Sequence, residues 1–391
     1  MRLCTIEECE GEVLGKSIYH ANGKLLLGAG YRITSLIKAK LVERGFNHVY
    51  IMEEGTDEVI PQDVISDEVR LQSKAQFSDK ISEVRRQSEF KDLTRDKAVE
   101  LLEKGYLKSV NITYDMRMIV EEILKDISAA GSRFLNTVMI KSEETYFIDH
   151  AINVTVMSIL MGRKYRFSKP ELVSLALGSF LHDIGMIIIE QIKGSDNPKK
   201  AESLYKEHPT FGYLLIRNSP DVSPMETQIV NQHHEFQDGT GFPIGLKGEN
   251  LPPIKPIVRE MKGHIFRLAE ICCVANAFDN MVYNPLKPPG KQMSIEQAIK
   301  QIILDSERIY NRDVVQTLLQ VVPIYPVGAT IKVLNLVDPH LVGYVGVVAK
   351  INEKNINKPV IILTKNKFMK KIKPIIIDTS KFTTVDLQIL L

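Results

Sequence analysis

Five of the chain's nine histidines lie between residues 150 and 234, and they and Asp183 each stand next to an apolar run with helical spacing. His182 and Asp183 adjoin in LHDIGM, His233 and His234 adjoin in NQHHEFQDGTGFP, and His150 and His208 stand singly in HAINV and EHPTF. For a lone histidine the ordinary reading is a core or surface ring bonded to a neighbour. Five, with Asp183, on separate helical elements make that reading weak and require a fold in which the helices converge. Imidazole plus carboxylate without cysteine is the donor set of a hydrolytic transition-metal centre. Such ions acidify bound water, so the pattern points to hydrolysis.

The spacing supports convergence. His233 and His234 follow Val230 by three and four residues at a helix end, so both can project into a bundle interior. Asp183, directly after His182 at a helix end, is placed where a short carboxylate can bridge two ions. His150 lies on a helix with Val154 and Met157 on its face, and His208 lies in the first turn of another.

With 391 residues the chain is long enough for about two or three domains, and its apolar and charged fractions are those of a soluble globular protein. A net charge of +2 does not call for nucleic acid or an anionic membrane. The basic stretch KNKFMKKIKP reads as a solvated strand edge. Cys4, Cys9, Cys272 and Cys273 form no C-x-x-C pair and read as reduced, which fits a cytosol. No apolar run reaches membrane-spanning length and the N-terminus lacks a signal pattern, so a cytoplasmic protein is expected.

Residues 1–55 read as a small α/β unit: KLLLGAGYRIT has strand character, SLIKAKLVERGF is an amphipathic helix closed by Gly45, and HVYIM is a strand. Residues 56–128 read as a polar linker to about residue 80 and then a helical segment, either a homodimer contact through 80–128 or a face packed on its own chain. Residues 129–325 form a helical block holding every ligand candidate. There Ser168-Lys169-Pro170 caps the helix of ELVSLALGSFLHDIG, with Gly185 as its end. Residues 326–391 are β-rich, a compact barrel or sheet. The fold class expected is mainly α, flanked by these two smaller units.

The central block resembles the HD-GYP proteins, a branch of the HD metal-dependent phosphohydrolases. The resemblance covers roughly residues 130–325 and rests on HAINV, LHDIG, EHPTFGYLLI, HHEFQDGTGFPIGLKGE and ANAFDNM. It implies an all-helical domain with two or three iron, manganese or similar ions. It also implies hydrolysis of cyclic di-GMP, or a related nucleotide, to pGpG or GMP. By position, His150, His182 and Asp183 would hold one ion and Asp183, His208, His233 and His234 the other. Asn276 occupies the last acidic ligand's place.

The chain departs from the family at four points. Met186 replaces a lysine after HDIG, with Lys193 or Lys206 as stand-ins. Asn276 replaces aspartate. YNPLKPPG leaves only Lys287 as a nucleotide contact. The GYP signature reads Gly241-Phe242-Pro243. Within the Gly-rich loop, Glu235 and Asp238 read equally as supports for ligating imidazoles or as turn caps. His264, in an insertion between Leu251 and Phe266, reads as structural. Three functions compete: a cyclic di-GMP phosphodiesterase of altered activity, a degenerate receptor or docking domain, and a phosphohydrolase of another nucleotide.

Overall fold

The computed structural model describes all residues except 21, 89, 92, 108–110, 132–133, 136–139, 193–197, 254–262, 283, 288–290 and 391, and only the backbone of 198–200. At the N-terminus, β1 (Arg2–Thr5) pairs antiparallel with β4 (His48–Ile51), and β2 (Ile18–Tyr19) pairs with β3 (Leu25–Leu27). The helix α1 (Ser35–Glu43), capped by the Thr34 hydroxyl, buries Leu41 against them. Cys4, Cys9, Leu14, Ile33, Phe46 and Val49 close this small core. The α/β reading of this unit agrees.

The stretch expected as linker instead contains α2 (Asp67–Gln87), whose Phe77, Ile81 and Val84 enter the main core. The first half of α2 is so polar that its stripe escapes notice: its buried positions there are Ser73 and Lys74, and Lys74 reaches Asp149 at 2.9 Å. After α3 (Arg95–Glu103), α4 (Ile112–Ala130) turns Met116, Ile119, Val120, Ile123 and Ile127 inward. That stripe is covered by α2 and by α6 (Lys169–Phe180) of the same chain. The helical body thus begins near residue 67.

At its centre runs α5 (Tyr146–Lys164), buried at every residue from 151 to 162. Around it pack α6, α11 (Arg267–Met281) and α13 (Arg312–Leu318), with α9 (His208–Ile216) and α10 (Pro224–Gln232) stacked beyond α6. The short helices α7 (Met186–Ile189) and α8 (Pro198–Tyr205) and the outer α12 (Ile295–Leu304) complete it. Capping boxes start α6 at Ser168–Glu171 and α10 at Ser223–Glu226, with Pro170 and Pro224 in the first turns.

Helix α6 stops at Phe180, not at Gly185, and residues 181–185 form a tight turn. Gly185 serves close approach: a Cβ there would strike the His208 carbonyl and the Gly212 amide of α9.

The C-terminal unit is a five-stranded antiparallel sheet of order β8-β7-β6-β5-β9. Its strands are β5 (Thr330–Asn335), β6 (Val345–Lys350), β7 (Val360–Lys365), β8 (Lys371–Asp378) and β9 (Asp386–Ile389). Ile331, Val333, Val347, Ile361 and Leu363 form its core. All four cysteines are free and buried. Among the described residues no helix is long and apolar enough to cross a membrane.

Candidate metal centre

Four elements converge on one carboxylate. His150 comes from α5, Asp183 and His182 from the turn after α6, His208 from the start of α9, and His233 from the C-terminal cap of α10. Asp183 Oδ2 lies 3.3 Å from His182 Nε2 and 3.6 Å from His150 Nε2. Its Oδ1 lies 3.1 Å from His208 Nε2 and 3.5 Å from His233 Nε2. The donors therefore form two groups, His150–His182–Asp183 and Asp183–His208–His233–His234, that share Asp183.

The other ring nitrogens fix the tautomers. Nδ1 of His182 donates to the Ser179 carbonyl at 2.7 Å, that of His208 to Tyr205 at 2.7 Å, and that of His233 to Val230 at 2.8 Å. Nδ1 of His150 donates to Asp279 Oδ2 at 2.7 Å. A carbonyl only accepts, so in each neutral ring the proton sits on Nδ1 and Nε2 presents a lone pair. Yet His150 Nε2 and His182 Nε2 are 3.2 Å apart, and His208 Nε2 and His233 Nε2 are 3.1 Å apart. Lone pairs this close repel unless a cation lies between them. The buried His234 Nε2 has no hydrogen-bond partner among the described residues, a costly state for a polar atom. The donor set fits divalent metal on these grounds.

The electrostatics agree. Burial works to raise the Asp183 carboxyl, but His182, with His208 and His233, overcomes it and holds the group well below the usual carboxylate range. Burial pushes His233 down to about 4 and His234 well below its ordinary value, so both stay neutral and available as donors.

Asn276 Oδ1 sits 3.0 Å from His150 Nε2, inside the first group, and also accepts from Asn280. Phe242 stacks on His234 with ring centres 4.5 Å apart and planes 17° apart, while Tyr205 flanks His208 at 4.9 Å. Gly241 permits this, because a Cβ would strike the His234 carbonyl and the Phe236 amide. Pro243 follows through a cis peptide bond.

The other charged candidates stand elsewhere. Lys206 is exposed and paired with Glu202 at 2.8 Å, and Lys193 lies outside the described residues. Lys287 lies beyond the end of α11, its amide bonded to the Asn284 carbonyl. Met186 opens α7, half-buried. Glu235 accepts from the amides of Ile244, Gly245 and Leu246, and Asp238 from Thr240, so both secure the loop's turns. His264 is exposed, and most of its insertion lies outside the described residues.

Asp279 was not singled out from the sequence. Buried, it orients His150, accepts from Asn153 at 3.1 Å and pairs with Lys141 at 3.0 Å. Burial works to raise its carboxyl, but the Lys141 ammonium and His150 outweigh that and hold it at about 2. A signal was present: Asp279 follows Asn276 by three residues on one helix, so both share a face.

A helical body whose core gathers imidazoles around a shared aspartate has the arrangement of a candidate two-metal centre. Residues 135–314 match the family model described as HD domain. The chain is 27% identical over 307 residues to a cyclic di-GMP phosphodiesterase of Thermotoga maritima, covering 75% of each chain. It is 24% identical over 217 residues to one of Pseudomonas aeruginosa, covering 55% of this chain and 48% of that one. The chain thus spans about half the length of the Pseudomonas relative. A 3'3'-cGAMP-specific phosphodiesterase 2 of Vibrio cholerae matches at 24% identity over 149 residues, 37% of this chain and 27% of that one. Among solved structures, an HDG"Y"P protein of Bdellovibrio bacteriovorus aligns over 81% of this chain and 97% of its own, with 17% identity and a TM-score of 0.41.

Proposed function

We propose that the protein is a metal-dependent phosphodiesterase of bacterial second-messenger signalling that hydrolyses cyclic di-GMP, to pGpG or GMP, in the cytoplasm. The observation that carries the proposal is Asp183, whose two oxygens face two separate sets of imidazole nitrogens. Two divalent transition-metal ions, iron or manganese, would be held there. His150, His182, Asp183 and the Asn276 carbonyl would hold one, and Asp183, His208, His233 and His234 the other. When bound, such a pair polarises phosphoryl oxygens and acidifies a water.

The chain's own groups do the positioning. Backbone carbonyls and Asp279 hold the imidazoles of His150, His182, His208 and His233 in the tautomer a metal requires. The Phe242 ring, with Gly241 and Pro243, forms the rim beside His234, where a nucleobase can stack. Met186 supplies no charge to a phosphate, and Asn276 is a neutral donor. We therefore expect slower turnover than in relatives with lysine and aspartate at these places.

Those two substitutions also favour a second reading, a domain that binds metal and nucleotide as a receptor without turnover. The Vibrio relative's name extends the candidate ligands to another cyclic dinucleotide. Protein loaded with Mn(II) or Fe(II) without oxygen is incubated with cyclic di-GMP and with 3'3'-cGAMP, and products are separated by chromatography. Cleavage of cyclic di-GMP that disappears in Asp183→Ala supports the proposal. Binding without cleavage establishes the receptor reading. Cleavage of 3'3'-cGAMP alone reassigns the substrate.

A further inference from the structure

The C-terminal sheet presents an apolar tip ringed by lysines that the phosphodiesterase reading leaves unused. In an antiparallel order β8-β7-β6-β5, the β5–β6 and β7–β8 connections emerge at the same end. The β7–β8 turn exposes Phe368 to 71% and Met369 to 59%. The neighbouring β5–β6 connection exposes Val337 to 62% and Val342 to 37%, and the two turns touch: a Cβ on Gly343 would meet Lys367 at 3.1 Å.

This tip is built rather than loose. Met369 N donates to the Asn366 carbonyl at 2.9 Å, and Asn366 N donates to the Lys370 carbonyl at 3.0 Å. The Asn366 side chain accepts from the amides of Phe368 and Lys370 at 3.0 and 3.1 Å. Met369 has φ +60°, a left-handed conformation that glycine or asparagine adopts at less cost. A bulky apolar residue kept at this strained, exposed place, beside an exposed aromatic ring, favours use of the side chains themselves.

Charge identifies the occupant. Lys367, Lys370 and Lys373 are exposed and form no ion pair among the described residues, while Lys371 pairs with the exposed Glu54 at 3.0 Å. Lys367 also lies over the Phe368 ring, 5.3 Å from its centre. The acids at this end are Glu53 and Glu54, engaged by Lys365 at 3.5 Å and Lys371 at 3.0 Å, with Asp338 in the β5–β6 connection and Asp386 on β9, the edge strand opposite β8. An apolar pair at the apex with exposed ammonium groups around it matches an anionic bilayer: the Phe368 ring and the Met369 side chain enter the headgroup layer and the lysines meet lipid phosphates. What distinguishes the tip is that Lys367, Lys370 and Lys373 are exposed and form no ion pair among the described residues.

We propose that the β7–β8 turn, with the adjoining β5–β6 connection, is a peripheral docking site for an anionic lipid surface. The test is co-sedimentation of the full chain with vesicles of phosphatidylglycerol mixed with phosphatidylcholine, against phosphatidylcholine alone, at low and high salt. The expected result is pelleting with the anionic vesicles only, weakened by salt. Phe368→Ser with Met369→Ser should lower the bound fraction about tenfold, and Lys367→Glu with Lys370→Glu should do the same. Unchanged melting temperature and sedimentation without lipid show that the variants still fold. The proposal is overturned if the native chain stays in the supernatant, pellets equally with neutral vesicles, or if neither double variant loses binding. It is equally overturned if the Phe368 and Met369 changes instead dissolve a dimer in the absence of lipid, which would make the tip a contact between copies.

Discussion

The two halves of the donor cluster are built by different means. The His208–His233–His234 half offers three imidazoles, and the two whose Nδ1 is engaged are aimed by backbone carbonyls of their own turns. The His150–His182 half offers two imidazoles and a neutral amide, and a buried carboxylate, Asp279, aims one of the rings. Donation to a carbonyl within the same helical turn is maintained by the helix itself. Donation to Asp279 relies on a remote network that includes Lys141, more than a hundred residues away in sequence. The His150–His182 half would therefore be the weaker and more adjustable ion site, and the His208–His233–His234 half the one fixed by local geometry.

Removing the group common to both has the largest effect. Asp183→Ala should leave metal content near zero and lower turnover by at least about a thousandfold, since the several kcal/mol supplied by paired ions go with it. Elemental analysis of protein purified without oxygen checks the first, and product chromatography the second. Next come the halves taken separately. His150→Ala leaves its half with one imidazole, so the bound metal should fall by one ion per chain. His233→Ala leaves two imidazoles, so that half should still fill at raised metal concentration. Equal losses of both ions in both variants would show that the halves are not separable.

The sequence carried the site further than it carried the scaffold. All six converging side chains were legible, because adjacent donors beside apolar helical runs form a pattern that ordinary cores do not produce. The N-terminal unit and the C-terminal sheet were legible from strand runs punctuated by turn residues. Helix α2 was not, because its first buried positions are Ser73 and Lys74, and Lys74 is accommodated only by Asp149 on another helix. The end of α6 was misplaced at Gly185, because that glycine marks a crossing against α9, which no local pattern reveals. Asp279 carries a local signal in its spacing from Asn276, but its role as the partner of His150, Asn153 and Lys141 is assembled only by the packed bundle.

The weaker half can be moved in either direction. Asp279→Asn retains an acceptor for His150 but sets an amide donor against Asn153 and the buried Lys141 ammonium. Metal affinity of that half should fall about 10- to 100-fold. The protein should also lose up to roughly 3–5 kcal/mol of stability for the unpaired charge. The ion held by His208, His233 and His234 should remain, and its simultaneous loss in a chelator titration would count against two independent halves. Asn276→Asp should work the other way, since a charged carboxylate binds a divalent ion more strongly than an amide. A gain of about tenfold in affinity is expected, matching roughly 1.4 kcal/mol. No change in metal occupancy or rate would show that this position does not contact the ion.

The smallest effect belongs to the strong half and tests its rim. The Phe242 ring lies nearly parallel to His234 at 4.5 Å, so it restrains an imidazole whose Nε2 has no partner among the described residues. Phe242→Ala removes a contact worth roughly 0.5–1.5 kcal/mol beyond area burial and frees that ring to turn. Metal affinity of this half should drop by a factor of about 2 to 10, with the His150 half unchanged. Phe242→Tyr keeps the stacked face and should preserve both occupancies. A chelator titration of the two variants distinguishes the roles of ring and hydroxyl. If the tyrosine variant alone gained turnover, the hydroxyl would act on the nucleotide, and the ring's contribution to holding His234 would be secondary.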